Sequence, residues 1–547
     1  MKKIILLFFF LSSIAPNGYS QMQWSWVNSQ SGSASQIGAP KVVAGANGNF
    51  YLTGSFDGTR MFGTYALTSI GNSDAFIARY DNQGNCLWAN SYGVPKPNAS
   101  TFSNAVAVDG NGDVYIAGTF TDTMVVSGIT LYPYGIVDMF LIKLNQSGNV
   151  IWAKSFGGGS ADHASALAID PQNNIYLSGT FFWKCYFGPN DSIGNNTPND
   201  QIFITRINPG GQVEWVVEAG GNQSDQCAGI SFSNNSLSLT GTIAGTCIFG
   251  SHTVTTVNSD AFIAGYDTAG NNNWVKVISG PISDFGAGVS KDSYGNSYVT
   301  GLCMQGVSFG SGVTLSCGNF LQVFIAKYNA TGVCQWAKKG GNPGVPTNGI
   351  GGISTDINGY SVITGTFEGS ATFGTFTIPS SGTQDAFIVK YSPSGNCQYF
   401  LKGGGVGQDN GYSCTWLPTN EFIVAGTYKN TANFGSISVN TPAATTYAIY
   451  LGLLPGFYTG IDNIIPSSAG FAYPNPAVNS ITIANDYLKD GTKVSLINSI
   501  GQTLFTETNF NKSGDLIIDT GGFPSGIYTV MITSESSSVC SKVQISK

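Results

Sequence analysis

From about residue 23 to residue 456, apolar and polar positions alternate in short runs, each closed by Gly, Asn or Asp. That two-residue period, with Val, Ile, Phe and Tyr prominent, predicts β-strands joined by tight turns. No stretch carries a convincing helical period. One phrase recurs: Tyr51-Leu-Thr-Gly54-Ser-Phe56, Tyr115-Ile-Ala-Gly118-Thr-Phe120 and Tyr176-Leu-Ser-Gly179-Thr-Phe181, then again around Gly241, Gly301, Gly365 and Gly426. The seven copies stand 60 to 64 residues apart. A second phrase follows each: Asp74-Ala-Phe76, Asp260-Ala-Phe262 and Asp385-Ala-Phe387, with weaker forms at Asp138, Asp200, Val323-Phe324 and Tyr447. A third is an aromatic strand at Trp88, Trp152, Trp215, Trp274, Trp336 and Tyr399. Turns such as Asp81-Asn-Gln-Gly84-Asn85 separate the last two, with Gly and Asn supplying the positive φ a tight hairpin needs.

Each unit reads as four strands. The first is short and built of small residues (Ala105-Val-Ala-Val108), the second holds the glycine phrase, the third Asp-Ala-Phe, the fourth tryptophan. The seventh unit lacks its tryptophan strand, and a spare one stands near the N-terminus, Trp26-Val-Asn-Ser29, one period before Trp88. An orphan strand at one end and a gap at the other predict a closed ring, because closure removes exposed sheet edges. The extra length in each unit falls between the second and third strands. It carries a recurrent Phe-Gly (Phe62-Gly63, Phe187-Gly188, Phe309-Gly310), read as a hairpin extension on one face. The fold class expected is all-β: a seven-bladed β-propeller closed by an N-terminal strand, followed by a small Ig-like β-sandwich.

The phrases resemble the SBBP-type β-propeller repeats of secreted bacterial proteins over about residues 22–456. That resemblance implies a propeller scaffold and no one activity. After a Gly, Asn, Pro and Ser linker come Tyr473-Pro-Asn-Pro476, the Gly501 turn, Gly526-Ile-Tyr528 and a terminal Lys-containing strand. This segment resembles the C-terminal sorting domain of the type IX secretion system, known from Bacteroidota. The resemblance implies the secretion machinery as partner, through 472–547, and release or attachment at the outer-membrane cell surface. The domains expected are 1–20 signal peptide, 22–458 propeller, 459–471 linker and 472–547 sorting domain. Lys2 and Lys3 before the apolar run Ile4 to Leu11, ending at Ser20, have the order of a secretory leader. That run is shorter than the roughly 20 residues a spanning helix takes, so no transmembrane segment is expected.

Only 10% of residues are charged, and 23 Lys and Arg against 30 Asp and Glu leave a net charge of −7. That balance argues against a nucleic-acid partner. The two histidines, His163 and His252, fall in different units and do not form a zinc pair. Gly306-Val-Ser308-Phe-Gly310 matches a nucleophile elbow only by letter, since no strand–turn–helix surrounds it. Asp109-Gly-Asn111-Gly-Asp113 lacks the distal glutamate of a calcium loop and reads as an Asx turn.

One constellation stands out. Asp162, Asp284 and Asn348 lie eight residues before repeat-equivalent turns, and Asp225 and Asp409 fall at about the same place in two other units. On an innermost strand they would ring one mouth of the channel and hold a cation such as calcium or the hydroxyls of a sugar. The alternative is that each caps its own loop. No other cofactor is expected. Export permits disulfides, and the pairs Cys227–Cys247 and Cys303–Cys317 lie within single units.

The functional expectation is a secreted or surface-displayed module for binding or adhesion, with a protein or glycan ligand and no catalysis. The alternative is a hydrolase or lyase acting on polysaccharide in the propeller channel. A structural spacer is the third reading.

Overall fold

The computed structural model describes residues 23–32, 37–188, 191–194, 198–342, 349–441, 446–456, 472–484, 488, 492–498, 503–508, 515–533 and 538–546. The expected leader at 1–20, the linker at 459–471, Asn348 and Gly501 lie outside the described residues. The architecture is all-β and its named strand pairs are antiparallel; among the described residues the helical content is one 3-10 turn, Ala46–Gly48. Two compact units divide the chain, one of residues 22–456, the other containing residues 457–547.

In the larger unit each of the first six sequence repeats forms its own four strands, side by side in chain order. The third shows the pattern: His163–Ile169, Ile175–Phe182, Asp200–Ile207 and Val213–Gly221. Register explains the recurring glycine. Gly54 faces Phe76, Gly118 faces Phe140, Gly179 faces Phe203 and Gly365 faces Phe387. The ring lies across the glycine, and a Cβ on Gly179 would stand 2.7 Å from the Phe203 ring. The two recurring phrases are therefore the two halves of one packing contact.

Tryptophan ties each of the first five units to the next. Trp88 Nε1 donates to Gln146 O, Trp152 to Pro209 O, Trp215 to Thr268 O, Trp274 to Ala330 O and Trp336 to Pro393 O, each in the hairpin turn of the following unit. Trp26 makes the same bond to Asn82 O. Its strand, Trp26–Gln30, pairs with Tyr447–Pro455, in register from Trp26 opposite Leu453 to Gln30 opposite Ile449. The N-terminal strand thus stands fourth in the last sheet, beside Asn410–Trp416, Glu421–Lys429 and Tyr447–Pro455.

The first strands of successive repeats pack on one another in chain order, and Asn410–Trp416 packs on Lys41–Ala44, so the series returns to its start. At that return Val42 N and Ala44 N donate to Ser413 Oγ and Thr415 Oγ1. The Phe-Gly hairpins do more than decorate one face. In three units they pair with the end of the preceding unit's fourth strand: Gly221 with Cys247, Gly340 with Phe373 and Gly404 with Asn433.

In the smaller unit, a three-stranded sheet (Ala472–Tyr473, Ser480–Ile483, Leu516–Asp519) and a four-stranded sheet (Thr503–Thr508, Lys493–Ile497, Gly526–Thr533, Ser538–Ile545) share one apolar core. Ile481, Ile518, Val494, Leu496 and Val530 meet there. Alternation along each strand sends these residues to one face, as a half-buried sheet requires.

Candidate functional site

The carboxylates singled out by the repeat do not face a channel. Asp162, Asp225, Asp284 and Asp409 each directly precede an innermost strand, and each is fully buried. Asp162 accepts from Gly158 N at 2.6 Å and Phe182 N at 3.1 Å. Asp225 accepts from Gly221 N and Ala244 N, Asp409 from Gly405 N and Lys429 N, and Asp284 from Met304 N. Asp162, Asp225 and Asp409 thus each join the loop between units to their own unit's second strand or the residue after it. This corrects the picture of a ligating ring: an acceptor already taken by backbone N–H groups and sealed from solvent cannot meet a sugar hydroxyl at the mouth. Among the described residues no group of three or more His, Cys, Asp or Glu could hold a metal ion.

The same carboxylates lie against the Asp of the preceding unit's third strand. Burial is the main cause that raises Asp162, Asp284 and Asp409 to about 7 and Asp260 to about 6. Repulsion from Asp138 and Asp200 adds to the rise at Asp162, from Asp260 at Asp284, and from Asp385 at Asp409. Among the described residues Asp138 Oδ1, Asp260 Oδ1, Asp284 Oδ2 and Asp385 Oδ1 have no hydrogen-bond partner. Asp385 Oδ1 and Asp409 Oδ2 converge on Gly404, where a Cβ would strike the first and lie 2.8 Å from the second. A protonated carboxyl on one side of such a pair can donate to the other, which satisfies both without a counter-ion.

Asp109 closes an Asx turn, its Oδ1 accepting from Asn111 N and Asp113 N, both at 2.9 Å. Asp170, Asp292 and Asp356 do the same. Cys303 and Cys317 are joined by a disulfide, with Cα atoms 5.9 Å apart. Cys227 and Cys247 are not joined. Cys227 sits opposite Gly241, six residues before Cys247 on that strand, so the two thiols do not face each other. Cys227 Sγ donates instead to Ser178 Oγ, and Cys247 Sγ to Asp225 Oδ1.

What faces solvent where the innermost strands begin is a cavity of about 290 Å³. Four consecutive units line it, with Lys41, Ser55, Ser103, Asn104, His163 and Ser165 as its polar groups. No carboxylate lines it. His163 is exposed and Lys41 is partly buried. Burial pulls the Lys41 amine below its usual lysine value; the titratable group beside it is the Cys414 thiol, itself pushed up to about 12 by burial. Asn104 Nδ2 donates to Ala164 O of the next unit, fixing its amide across the entrance. Repeat-based reasoning passed over these residues because the first strand reads as small and uniform. The signal available was an exception: Lys41 stands where the other units carry Ala105, Ala166, Gly229, Gly288, Gly352 and Ser413.

Comparison with known proteins adds two family matches. Residues 472–546 match the secretion system C-terminal sorting domain, and residues 93–119 match the SBBP beta-propeller repeat. An uncharacterized WD repeat-containing protein of Acanthamoeba polyphaga mimivirus is 24% identical over 454 residues, covering 67% of this chain and 32% of the relative. The chain therefore spans about a third of that relative's length. Among solved structures, a protein of unknown function from Dyadobacter fermentans is similar at 9% identity and a TM-score of 0.38, over 79% of this chain and 99% of that one. PorZ, a surface component of the type IX secretion system of Porphyromonas gingivalis, is similar at 10% identity and a TM-score of 0.17, over 95% and 100%. Among the described residues no helix is long and apolar enough to cross a membrane.

Proposed function

Because the chain carries beta-propeller repeats and a type IX C-terminal sorting domain, which directs it to the cell surface or the medium, we propose that it is an exported binding module built on a seven-bladed propeller. In this reading 1–20 is the leader, 22–458 the propeller, 459–471 the linker and 472–547 an Ig-like sorting domain. The returning series of innermost strands and the pairing of Trp26–Gln30 with the last sheet support the seven-bladed ring. The ligand, a protein or glycan, binds where the innermost strands begin.

The observation that carries binding over hydrolysis is the make-up of that cavity: hydroxyls, an amide, an imidazole and an amine, with no carboxylate. Glycoside hydrolysis generally takes two carboxylates flanking the bond. The repeat's carboxylates are instead sealed between units. The test is to screen the purified chain on glycan and matrix-protein arrays while monitoring products. Saturable binding without turnover is expected; turnover abolished by a single Asp→Asn change would falsify the binding reading. Deletion of 472–547 is expected to leave the protein in the periplasm, and unchanged surface display would remove the sorting assignment.

A further inference from the structure

The cavity where the innermost strands begin contains an uncompensated charge. Lys41 starts the first unit's innermost strand, Lys41–Ala44, and lines the cavity with Gly38 and Ala39 before it. Among the described residues no carboxylate pairs with Lys41. Asp162 and Asp225 directly precede lining segments but are turned into their own loops, where backbone N–H groups hold them. The thiol beside the amine, Cys414, is neutral, since burial raises it to about 12. In a chain of net charge −7 with few charged residues, a partly buried ammonium is expected to find a carboxylate. This one has none and opens instead on a cavity of about 290 Å³.

The other polar groups there favour the same sign of partner. Asn104 uses one of its two amide N–H groups on Ala164 O and keeps the other. Ser55, Ser103 and Ser165 add hydroxyls, and His163 an exposed imidazole. Donors and a cation, with no competing anion, form a recognition set for an oxyanion, because charge-assisted hydrogen bonds from fixed donors are the strong ones. The cavity has room for one monosaccharide-sized group.

We propose that this cavity binds an anionic group, a carboxylate, sulfate or phosphate carried on a saccharide or free in solution, with Lys41 as its counter-ion and Asn104 and His163 as flanking donors. The assignment rests on the reading of the cavity as the ligand site and names the chemistry it selects. It also predicts asymmetry: one lysine serves a mouth built from repeats, so one anion binds per chain.

The experiment is calorimetric titration of the full chain with sodium glucuronate, sodium phosphate, sodium sulfate and, as the neutral control, glucose. At least one anion is expected to bind saturably at one site, with glucose far weaker. Lys41→Gln is expected to weaken that binding about tenfold or more, the effect of losing a charged hydrogen-bond partner, while Lys338→Gln, on a fourth strand away from the cavity, leaves it unchanged. Glucuronate tighter than phosphate and sulfate assigns an acidic saccharide; the reverse order assigns a free oxyanion. A second measurement guards against misfolding of the variant. In the unmodified chain, acetylation of Lys41, followed by peptide mass mapping, is expected to slow when the anion is present. Equal binding of glucose and anions, anion binding untouched by Lys41→Gln, or no protection of Lys41 overturns the proposal. Lys41-independent binding of a neutral glycan overturns the anion assignment while leaving the binding-module reading standing, so the two fail separately.

Discussion

Two kinds of junction hold the repeats together, and they are opposite in charge. Between the second and third, fourth and fifth, and sixth and seventh units, a buried Asp at the start of an innermost strand lies against the buried Asp of the preceding unit's third strand. Where the chain's two ends meet, the equivalent position is Ile37, opposite Phe56. There a fully buried Arg60 reaches across instead, its Nη1 donating to Gln30 O at 3.0 Å and Tyr447 O at 2.9 Å. Burial brings its pKa down to about 10, still well above neutrality, so it stays charged. At the three acidic junctions burial and mutual repulsion raise the innermost-strand acid, which favours its protonated form there. The last sheet joins segments nearly 400 residues apart, and there one cation of the first unit bonds both of the joined strands at once.

The sharpest way to break this contrast is Arg60→Met, which leaves two buried carbonyls without their charged donor. A loss of about 3–5 kcal/mol is expected from two such bonds. Urea denaturation measures it, and hydrogen exchange at Trp26–Gln30 locates it: that strand is expected to lose protection first. If its protection survives, Arg60 does not hold the closure.

The acidic junctions respond to pH. A carboxyl whose folded pKa is about 7 holds a proton that the unfolded chain, titrating near 3.9, has released. Its stabilising contribution is therefore full below about pH 4, falls as pH rises to about 7 and is flat above that. Each such group contributes a slope of about 1.4 kcal/mol per pH unit. Thermal unfolding of wild type and Asp284→Asn across pH 4–8 isolates the effect. The variant is expected to show a shallower fall and to be the more stable protein at pH 8. Parallel curves would mean that folding does not raise the Asp284 carboxyl.

The smallest test concerns glycine at a junction. Gly404→Ala drives a methyl into Asp385 and Asp409 and is expected to cost about 1–3 kcal/mol. Gly159→Ala, in the loop before Asp162 with no atom within 4 Å of the new methyl, is expected to change stability by less than about 0.5 kcal/mol. Comparable losses in both would show that loop flexibility, and not carboxylate packing, sets the glycine requirement.

How much was legible varied by residue. Period and alternation exposed the strands, and the displaced Trp26 phrase was enough to foresee its pairing with the last strand, which the register of Trp26 opposite Leu453 bears out. The sorting segment was legible because its phrases occur together in one order. The acids at 162, 225, 284 and 409 were visible as a series, yet spacing alone left open which way they point. The same blindness paired Cys227 with Cys247: closeness in number hid six residues of extended strand.

The linear order of residues by itself settled the all-β class, the repeat, the partner strand of the N-terminus and the export segment. These follow from local period and recurrence, and every copy reports them again. Only the tertiary structure decided which carboxylates are sealed between units, that Arg60 joins the two ends, and that Lys41, Asn104 and His163 share a mouth free of carboxylates. Those facts depend on the direction of a side chain at a contact between distant segments. Burial and charge act there through space, and a repeat written along the chain carries no record of that direction.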